Sequence, residues 1–469
     1  MTVGIAPQTQ YSPSHPTISI PPLRAALDGR VIAPDDAEYD EARAVFYGGF
    51  DRRPAAIVRA ANATDVARVV ALARETGLEL AVRSGGHSLA GHGVSDGGIV
   101  LDLSDLRALQ IDAARRTAWA ETGLSAGAYT VAAGAHGLAT GFGDAGSVGI
   151  GGITLGGGVG FLVRKHGLTV DDLLAAEVVT ADGQLRRADA ETHPDLFWAL
   201  RGGGGNFGVA TRFQFRLHEV DAIVGGLLLL PATPDVIRSF VAEAEAAPEE
   251  LSTIANVMAA PPMPFVPAEH HGRLVVMAVL AYAGTAEAGQ RAIAPFRALA
   301  TPIADLVRAM RYPEIYALAE GGPHPVAMAV RSLFVDAVDR RTAEAIVDHL
   351  QASTAPMAVA QLRVLGGAMA RVPAEATAFA HRGRRVMVNV AAAYERAEEA
   401  AAHGAWVTGF AAALRQGVAG AYVNFLGDEG QARVREAYPG STWDRLRAIK
   451  AQYDSTNLFR LNQDIPPAI

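Results

Sequence analysis

A single twenty-residue stretch places the strongest limit on how this chain can fold. Residues 141–160 read GFGDAGSVGIGGITLGGGVG, and ten of the twenty are glycine. Because glycine has no side chain, this segment adds little to an apolar core, but its backbone can approach another backbone or a ligand closely. The stretch therefore indicates either tight turns between strands or a surface against which a long ligand lies.

A second glycine pair lies in a loop that follows a short apolar strand, predicted at residues 80–82. The loop reads RSGGHS at residues 83–88. Gly85 and Gly86 leave amide N–H groups open to phosphate oxygens, and His87 follows them directly. Taken alone, a histidine beside a glycine pair is more often structural than functional, so its context has to decide.

A third glycine run, GGGGNFG at residues 202–208, resembles a dinucleotide-binding fingerprint only in composition. A short helix that starts at Pro194 is predicted before it, and alternating apolar residues predict a strand at 209–217 after it. The nicotinamide-binding Rossmann motif needs the reverse order, with the strand first. We therefore do not expect a Rossmann site.

Capping and periodicity rules predict the remaining elements of the first half. Residues 1–53 resemble a leader with turns, in which Pro21 and Pro22 oppose helix formation. A helix follows, with Thr64 as its predicted N-cap and Gly77 at its end. Further elements are predicted as a strand at 99–103, a helix at 125–136 and a strand at 177–180.

The pattern of glycine, polar and apolar residues changes near residue 221, and the earlier pattern returns near residue 421. Between these points, apolar strand-like runs alternate with amphipathic helices, a pattern typical of one sheet backed by helices. The runs are residues 227–230, 274–280 and 386–392, and the helices are 235–246 and 342–350. We predict one domain from residues 1–220 plus 421–469 and a second domain from residues 221–420.

Composition excludes several kinds of chemistry. The chain has no cysteine, which excludes disulfides, thiolate catalysis and cysteine metal sites. Its net charge of -8 and the lack of a basic stripe argue against a nucleic-acid partner. His270 and His271 are adjacent and cannot face one site together in a helix or strand, so no metal is expected.

The sequence also favours a protein that acts away from membranes. The N-terminal residues lack a basic start followed by an apolar run of signal-peptide length. No segment reaches about 18 uninterrupted apolar residues, the rough minimum for a membrane-spanning helix. We therefore expect a soluble, cytoplasmic protein that is a monomer or a homodimer.

Taken in order, the motifs resemble one family. They are RSGGHS at 83–88, SVGIGGITLGGGVGFLVRKHGLTVDDLL at 147–174, DLFWALRGGGGNFGVAT at 195–211, YVNFLGDEG at 422–430 and WDRLRAIKAQYDSTNLFRLNQDIPP at 443–467. The chain is similar, over nearly its whole length, to the berberine bridge enzyme-like branch of the vanillyl-alcohol oxidase superfamily. Its spacing is most similar to bacterial members of the 6-hydroxy-D-nicotine oxidase type. The resemblance implies an α+β, two-domain PCMH-type FAD-binding fold, whose substrate domain is an antiparallel sheet backed by helices.

The resemblance also implies a covalent cofactor. FAD would be bonded through its 8α-carbon to a ring nitrogen of His87, and residues 83–88 would form the pyrophosphate loop. In related enzymes the residue at the position of Val148 controls access of oxygen to the flavin. The implied cofactor contacts are Arg83, Ser84, Gly85, Gly86, His87, Ser88, Val148, Gly149, Gly151, Gly152, Gly156, Val209, Asn424 and Asn462.

Three departures from the family pattern bear on the chemistry. Ala145 stands where many members have a cysteine that makes a second bond to flavin, so a single attachment is expected. Ile153 stands where many have a histidine. Phe425 stands where sugar-oxidising and cannabinoid-oxidising members have a tyrosine base.

Candidate catalytic residues remain despite the missing tyrosine. Asn424 would lie near the reactive edge of the flavin. Tyr394 and Gln361, on apolar strand-like runs, are candidates for facing the substrate, with a place in the core or at its rim as the alternative. His381 and Arg382 are as well explained by a structural role as by a functional one.

The expected reaction is oxidation of a small organic substrate, with an amine or phenol favoured. Hydride would pass to the flavin and then to O2, giving hydrogen peroxide. Alternatives are a dehydrogenase of the same fold with another electron acceptor, a carbohydrate or alcohol oxidase, and a flavin-binding protein without turnover.

Overall fold

A four-stranded sheet, built from short apolar runs, opens the fold. The computed structural model describes residues 18–318 and 326–469. The first strands are β1 (Arg30–Ile32), β2 (Ala56–Arg59), β3 (Leu80–Arg83) and β4 (Ile99–Asp102), and the first helices are α1 (Ile20–Ala26), α2 (Tyr39–Ala42) and α3 (Ala63–Thr76). β2 and β3 pair in parallel with β4, and β1 pairs antiparallel with β2. Because β3 ends at Arg83, the sheet delivers the RSGGHS loop at its edge.

A five-stranded antiparallel sheet follows, in the order β5-β6-β10-β8-β9. The strands of this region are β5 (Leu109–Asp112), β6 (Thr117–Glu121), β7 (Leu138–Ala139), β8 (Leu173–Val179), β9 (Leu185–Asp189), β10 (Val209–Arg216) and β11 (His218–Glu219). Its helices are α4 (Ala126–Gly134), α5 (Ile150–Leu155), α6 (Val163–His166) and α7 (Pro194–Leu200). β7 and β11 form a separate pair. Alternate residues of β10, including Phe213 and Phe215, fill the core beneath this sheet, which explains the period of two in the sequence.

The middle of the chain forms one large antiparallel sheet, in the order β15-β12-β14-β13-β18-β19-β17, with β16 paired to β12. Its strands are β12 (Ala222–Pro231), β13 (Leu251–Ala259), β14 (Leu274–Tyr282), β15 (Ala304–Asp305), β16 (Arg308–Arg311), β17 (Ala327–Val335), β18 (Met357–Val364) and β19 (Val386–Tyr394). The helices are α8 (Pro234–Ala246), α9 (Ala286–Arg297), α10 (Arg340–Gln351), α11 (Ala368–Arg371) and α12 (Ala400–Leu414).

The two faces of this large sheet pack against different partners. On one face, apolar residues of α8, α10 and α12 form a core with the strands, including Phe240, Ile346 and Phe410. On the other face, Phe161 and Leu162 of the glycine-rich region pack against the sheet. This second contact is made with β12, β13 and β14, whereas Val159 of the glycine-rich segment packs with Met387 of β19.

The last part of the chain returns to the first two sheets. Helix α13 (Gln431–Ala437) buries Val434 and Ala437 in the core of the five-stranded sheet, and helix α14 (Ser441–Tyr453) buries Trp443 and Leu446 there. We therefore propose that the domains divide as the sheets do, with residues up to about 220 and from about 421 on one side and 221–420 on the other.

Two expectations about the first hundred residues were wrong. Pro21 and Pro22 do not oppose a helix, because they occupy the first turn of α1, where a missing N–H costs nothing. Asn62, not Thr64, caps α3, since its side chain accepts the backbone N–H of Asp65. The described part of the supposed leader also contributes an edge strand, β1, to the first sheet.

Other local predictions were confirmed with small changes at the ends. Ser125 caps α4 as its side chain accepts the N–H of Ala128, and Gly137 follows the helix with a positive φ of 67°. Pro194 begins α7, and Gly183 closes the turn after β8. Within the described ranges, no helix is both long enough and apolar enough to cross a bilayer.

Candidate active site

A cavity of about 320 Å³ lies where distant segments of the chain meet. Its walls come mainly from residues 80–93, 143–159, 204–210, 422–426 and 459–463, with Tyr47 and Leu103. All of the predicted cofactor contacts line this cavity except Gly156. The first sheet, the glycine-rich segment and the C-terminal residues are thus brought together around one space.

Two glycines allow the walls of the cavity to touch. A Cβ placed on Gly85 would lie 2.3 Å from the backbone nitrogen of Gly149, and one on Gly149 would lie 2.2 Å from Oγ of Ser84. Ser84 also donates to the carbonyl of Thr122 at 2.5 Å and accepts the N–H of Gly151 at 3.3 Å. The RSGGHS loop and the start of α5 therefore form one continuous surface of backbone.

Arg83 holds the loop in place from behind. Its guanidinium is 2.7 Å from the carboxylate of Asp102 on the neighbouring strand, and it also donates to the carbonyl oxygens of Ala42 and Ala44. The side chain is only 7% exposed. Arg83 borders the cavity, but its positive charge is paired with the carboxylate of Asp102. Its role is therefore to anchor the loop.

His87 lies on the cavity wall with aromatic neighbours. Its ring stacks on Phe46, with the centroids 3.7 Å apart, and Tyr47 meets it edge-on at 6.4 Å. A second histidine, His92, lines the same cavity. Burial, helped by the nearby positive charge of Arg52, lowers the pKa of His92 to about 4, so its ring is neutral at physiological pH.

Asn424 is fixed by the protein on its donor side. Nδ2 donates to the carbonyl of Ile153 at 3.1 Å and to the hydroxyl of Tyr422 at 2.9 Å. That hydroxyl also accepts the N–H of Gly158 at 3.0 Å. Gly156 lies behind the amide, since a Cβ there would be 2.0 Å from Oδ1 of Asn424. Both N–H groups of Asn424 Nδ2 are therefore used within the protein.

The structure separates the other two predicted catalytic residues from the cavity wall. Tyr394 lies at the end of β19, paired with Ala327, and its ring stacks on His403 at 6.0 Å. Gln361 lies on β18, where its Nε2 donates to Oδ1 of Asn256 at 2.9 Å. Neither residue is among those that line the cavity.

Gln361 leads to an ion pair that the sequence did not predict. Its Oε1 accepts Nε of Arg363 at 2.8 Å, and Nη2 of Arg363 lies 2.5 Å from Oδ2 of Asp144. Asp144 lines the cavity, and the guanidinium of Arg363 packs 5.1 Å from the centre of the Phe425 ring. A pattern that could have found Arg363 is its spacing of two from Gln361, which places both on one face of a strand.

The pair found at 381 and 382 has a structural role. Arg382 is 2% exposed and binds both carboxylate oxygens of Asp171 at 2.7 Å. Nε2 of His381 is 2.9 Å from the carbonyl oxygen of Glu436. These contacts connect the middle of the chain to the segments on either side of it.

Comparison with known proteins agrees with this architecture. Residues 54–189 match the family model described as FAD binding domain, and residues 421–466 match the one described as Berberine and berberine like. The (R)-6-hydroxynicotine oxidase of Paenarthrobacter nicotinovorans is 32% identical over 459 residues, which cover 94% of this chain and 97% of that protein. The chain belongs to the berberine bridge enzyme-like FAD-linked oxidases. It is therefore an FAD-linked oxidoreductase.

Solved structures share the fold of this berberine bridge enzyme-like chain. The 6-hydroxy-D-nicotine oxidase of Arthrobacter nicotinovorans superposes with a TM-score of 0.83 at 30% identity, over 94% of this chain and 98% of that one. The glucooligosaccharide oxidase of Acremonium strictum, described with a 6-S-cysteinyl, 8α-N1-histidyl FAD, gives 0.84 at 24% identity, over 95% and 98%. The second likeness shows the two-domain PCMH-type fold alone.

The cavity of this family member fits FAD. A Cβ on Gly152 would meet nothing within 4 Å, so the exposed side of α5 leaves open space for a flat ligand. Oδ1 of Asn462 is buried without a hydrogen-bond partner among the described residues. FAD carries N–H and O–H groups that such an oxygen can accept. Ala145 and Ile153 also line the wall, where many relatives carry a cysteine and a histidine.

Proposed function

We propose that this protein is an oxidase that carries FAD on His87 alone, oxidises a small amine or electron-rich aromatic, and returns the electrons to O2 as hydrogen peroxide. The observation that carries the proposal is the position of His87 on the wall of a cavity made of glycine backbone, in a chain with no cysteine. FAD, when bound, supplies the acceptor for a hydride from a substrate C–H bond.

The covalent link is tested directly by denaturation. The flavin is expected to stay with the acid-denatured protein, and a peptide that contains His87 is expected to carry the added mass of FAD. His92→Ala is the matched control, because His92 lines the same cavity and its loss should leave the link intact. Flavin that washes out of the denatured wild type would contradict the assignment.

The variant His87→Ala separates attachment from binding. The glycine surface remains in this variant, so we expect FAD to bind without a covalent link. Turnover should be slower, because an alkylated histidine draws electrons from the flavin ring and makes it a better hydride acceptor. A variant that kept both its covalent flavin and its full rate would place the link elsewhere.

Oxygen as the acceptor is supported by the residue at 148. Val148 lines the cavity beside the core of the five-stranded sheet. In related enzymes valine at this position goes with reaction with oxygen and leucine with its loss. Val148→Leu should therefore slow reoxidation by O2 and leave anaerobic flavin reduction by substrate nearly unchanged. Equal effects on both half-reactions would mean that Val148 only packs, and would favour the dehydrogenase alternative.

An amine is favoured as the substrate because the tyrosine base of the sugar-oxidising members is absent at position 425. Removing a hydride from an alcohol leaves a protonated carbonyl, so a positioned base contributes about 10²–10⁴-fold. Phe425 cannot accept a proton, and Asn424 is not a useful base near neutral pH. An amine needs no base for this step once its nitrogen is neutral, because its own lone pair drives the hydride out. The resulting iminium ion is open to hydrolysis.

A substrate panel followed anaerobically by flavin absorbance tests the substrate class. Amines and electron-rich phenols are expected to bleach the flavin. Efficient bleaching by oligosaccharides, with no response to amines or phenols, would overturn the proposal and favour the carbohydrate oxidase alternative. Tyr394→Phe should leave the rate unchanged, because Tyr394 lies away from the cavity.

A further inference from the structure

Arg363 is held so completely that it cannot turn toward a ligand. Its side chain is 4% exposed, and all three of its nitrogens are engaged. Nε donates to Gln361, Nη1 donates to the carbonyl of Val159 at 3.2 Å, and Nη2 binds Asp144. Gln361 is fixed in turn by Asn256. This network joins β13 and β18 of the large sheet to the glycine-rich segment at two points, the carboxylate of Asp144 and the carbonyl of Val159.

Asp144 is left with one free oxygen at the cavity. Its side chain is 30% exposed, and its hydrogen bond to Arg363 uses Oδ2. No hydrogen bond from another described residue reaches Oδ1. Among the described residues that line the cavity, Asp144 is the single carboxylate. A carboxylate oxygen held rigidly at a cavity wall is a strong acceptor for an N–H donor, above all a cationic one.

Three side chains of the cavity wall add no charge beside that oxygen. Phe425 presents only a ring, over which Arg363 packs. Burial, with a smaller contribution from the negative charge of Asp144, raises the pKa of Tyr47 to about 12, so Tyr47 stays neutral. His92 is neutral as well. A ligand in this cavity therefore meets one negative oxygen among aromatic and backbone surfaces.

We propose that Asp144 binds the amine nitrogen of the substrate through Oδ1 and that Arg363 is the positioning residue that holds it there. The inference rests on the proposed function, of which it names the substrate-binding group. Asp144 binds the amine as its ammonium cation, because the charge-assisted hydrogen bond is the stronger one. The bound ammonium gives its proton to solvent water, which reaches the 30% exposed side chain of Asp144, and the neutral amine is then the species that loses hydride to the flavin.

Binding is tested with a pair of probes that cannot be oxidised. 2-Phenylpropan-2-amine and 2-phenylpropan-2-ol have nearly the same shape and no hydrogen on the carbon that bears the polar group. Calorimetric titration of the flavin-loaded wild type should give a dissociation constant at least about tenfold lower for the amine. Asp144→Asn should abolish this preference, and its affinity for the alcohol should stay within about twofold.

A matched variant controls for loss of an ion pair as such. Asp171→Asn removes a carboxylate that binds Arg382 away from the cavity, and it should keep the preference for the amine. A preference that survives in Asp144→Asn, or an amine that binds the wild type no better than the alcohol, would overturn the inference. The wild type alone gives a second test if Asp144→Asn does not fold. Amine affinity should fall above the pKa of the probe, whereas alcohol affinity should not change, and a flat amine profile would also overturn it.

Failure of the inference differs from failure of the proposed function. If amines bleach the flavin but Asp144→Asn binds the amine probe as the wild type does, only the inference fails. If no amine or phenol bleaches the flavin, the proposed function fails first. For a reactive amine, cation binding and neutral-amine reaction also predict that both KM and kcat rise with pH in the wild type. In Asp144→Asn the rise in KM should be lost.

Discussion

Gly85 and Gly152 border the same cavity but have different physical reasons for being glycine. A side chain on Gly85 would collide with the backbone of Gly149, and backbone atoms in a packed region cannot move aside cheaply. A side chain on Gly152 would enter open space on the cavity side. The first glycine therefore serves the fold, and we propose that the second leaves room for the cofactor.

Alanine substitutions distinguish these two roles. Gly85→Ala should lower the free energy of unfolding by about 1–3 kcal/mol, the usual cost of overpacking, with or without flavin. Gly152→Ala should leave the flavin-free protein as stable as the wild type or slightly more so, because alanine favours helix. Its flavin content should fall. Thermal unfolding of protein from riboflavin-starved cells and the ratio of flavin to protein absorbance provide the measurements. Equal destabilisation by both changes would contradict this division of roles.

Helices and strands followed from the sequence where the deciding interactions were local. Pro194 at the start of α7 and the alternation along β10 needed only neighbouring residues. The cap of α3 was missed by two residues, because Asn62 and Thr64 are both good caps and only geometry decides which reaches Asp65.

The ion pair at the cavity could not be predicted in this way. Asp144 and Arg363 are 219 residues apart, and they meet only because β18 is an inner strand of the large sheet. The glycines of the cavity wall and His87 could be predicted from the sequence because the chain keeps the local motifs of its family. The partner of Asp144 depends on strand order, which no local pattern encodes.

Helix α14 offers a prediction about buried charge. Lys450 and Asp454 form an i,i+4 pair with both side chains 0% exposed, and Lys450 also donates to the carbonyls of Asn206 and Phe459 at the cavity wall. Lys450→Met should cost about 3–5 kcal/mol, because it leaves the buried carboxylate of Asp454 without its cation. Chemical denaturation measures this loss.

The same change in an exposed pair is the control. Arg291 and Glu287 are also four residues apart on a helix, but both side chains are largely exposed. Arg291→Met should change stability by less than about 1 kcal/mol. If the two variants lost similar stability, burial of the Lys450 pair would not be what matters.

His381 and Arg382 make polar contacts between the middle of the chain and the segments on either side of it. Arg382 binds Asp171, and His381 meets the backbone of α13. Burial is the main cause that lowers the pKa of His381 from 6.5 to about 4. Below pH 6.5 the imidazole of His381 therefore binds a proton in the unfolded chain. In the folded protein it binds that proton only below about pH 4. Stability from this group is complete above pH 6.5 and is lost as the pH falls through that window.

Acid should therefore weaken the whole molecule, and His381 should account for part of the effect. One such group contributes a slope of up to about 1.4 kcal/mol per pH unit. Denaturant unfolding between pH 7.5 and 5 gives the free energy of unfolding at each pH. The slope of this free energy against pH should be smaller in His381→Phe than in the wild type. The slope should not vanish, because burial lowers the pKa of His92 to about 4 as well. An unchanged slope in the variant would show that His381 does not titrate in this way.

The cavity takes its walls from segments that are made at very different times during synthesis. The histidine loop leaves the ribosome well before Asn424 and Asn462, which line the same cavity. If FAD binds as we propose, the surface around His87 is therefore incomplete until residues 422–426 and 459–463 have docked. We therefore expect FAD to bind after these two segments have docked. A chain in which they do not dock should stay colourless. The flavin absorbance of a preparation would then report the fraction of its chains in which these segments have docked.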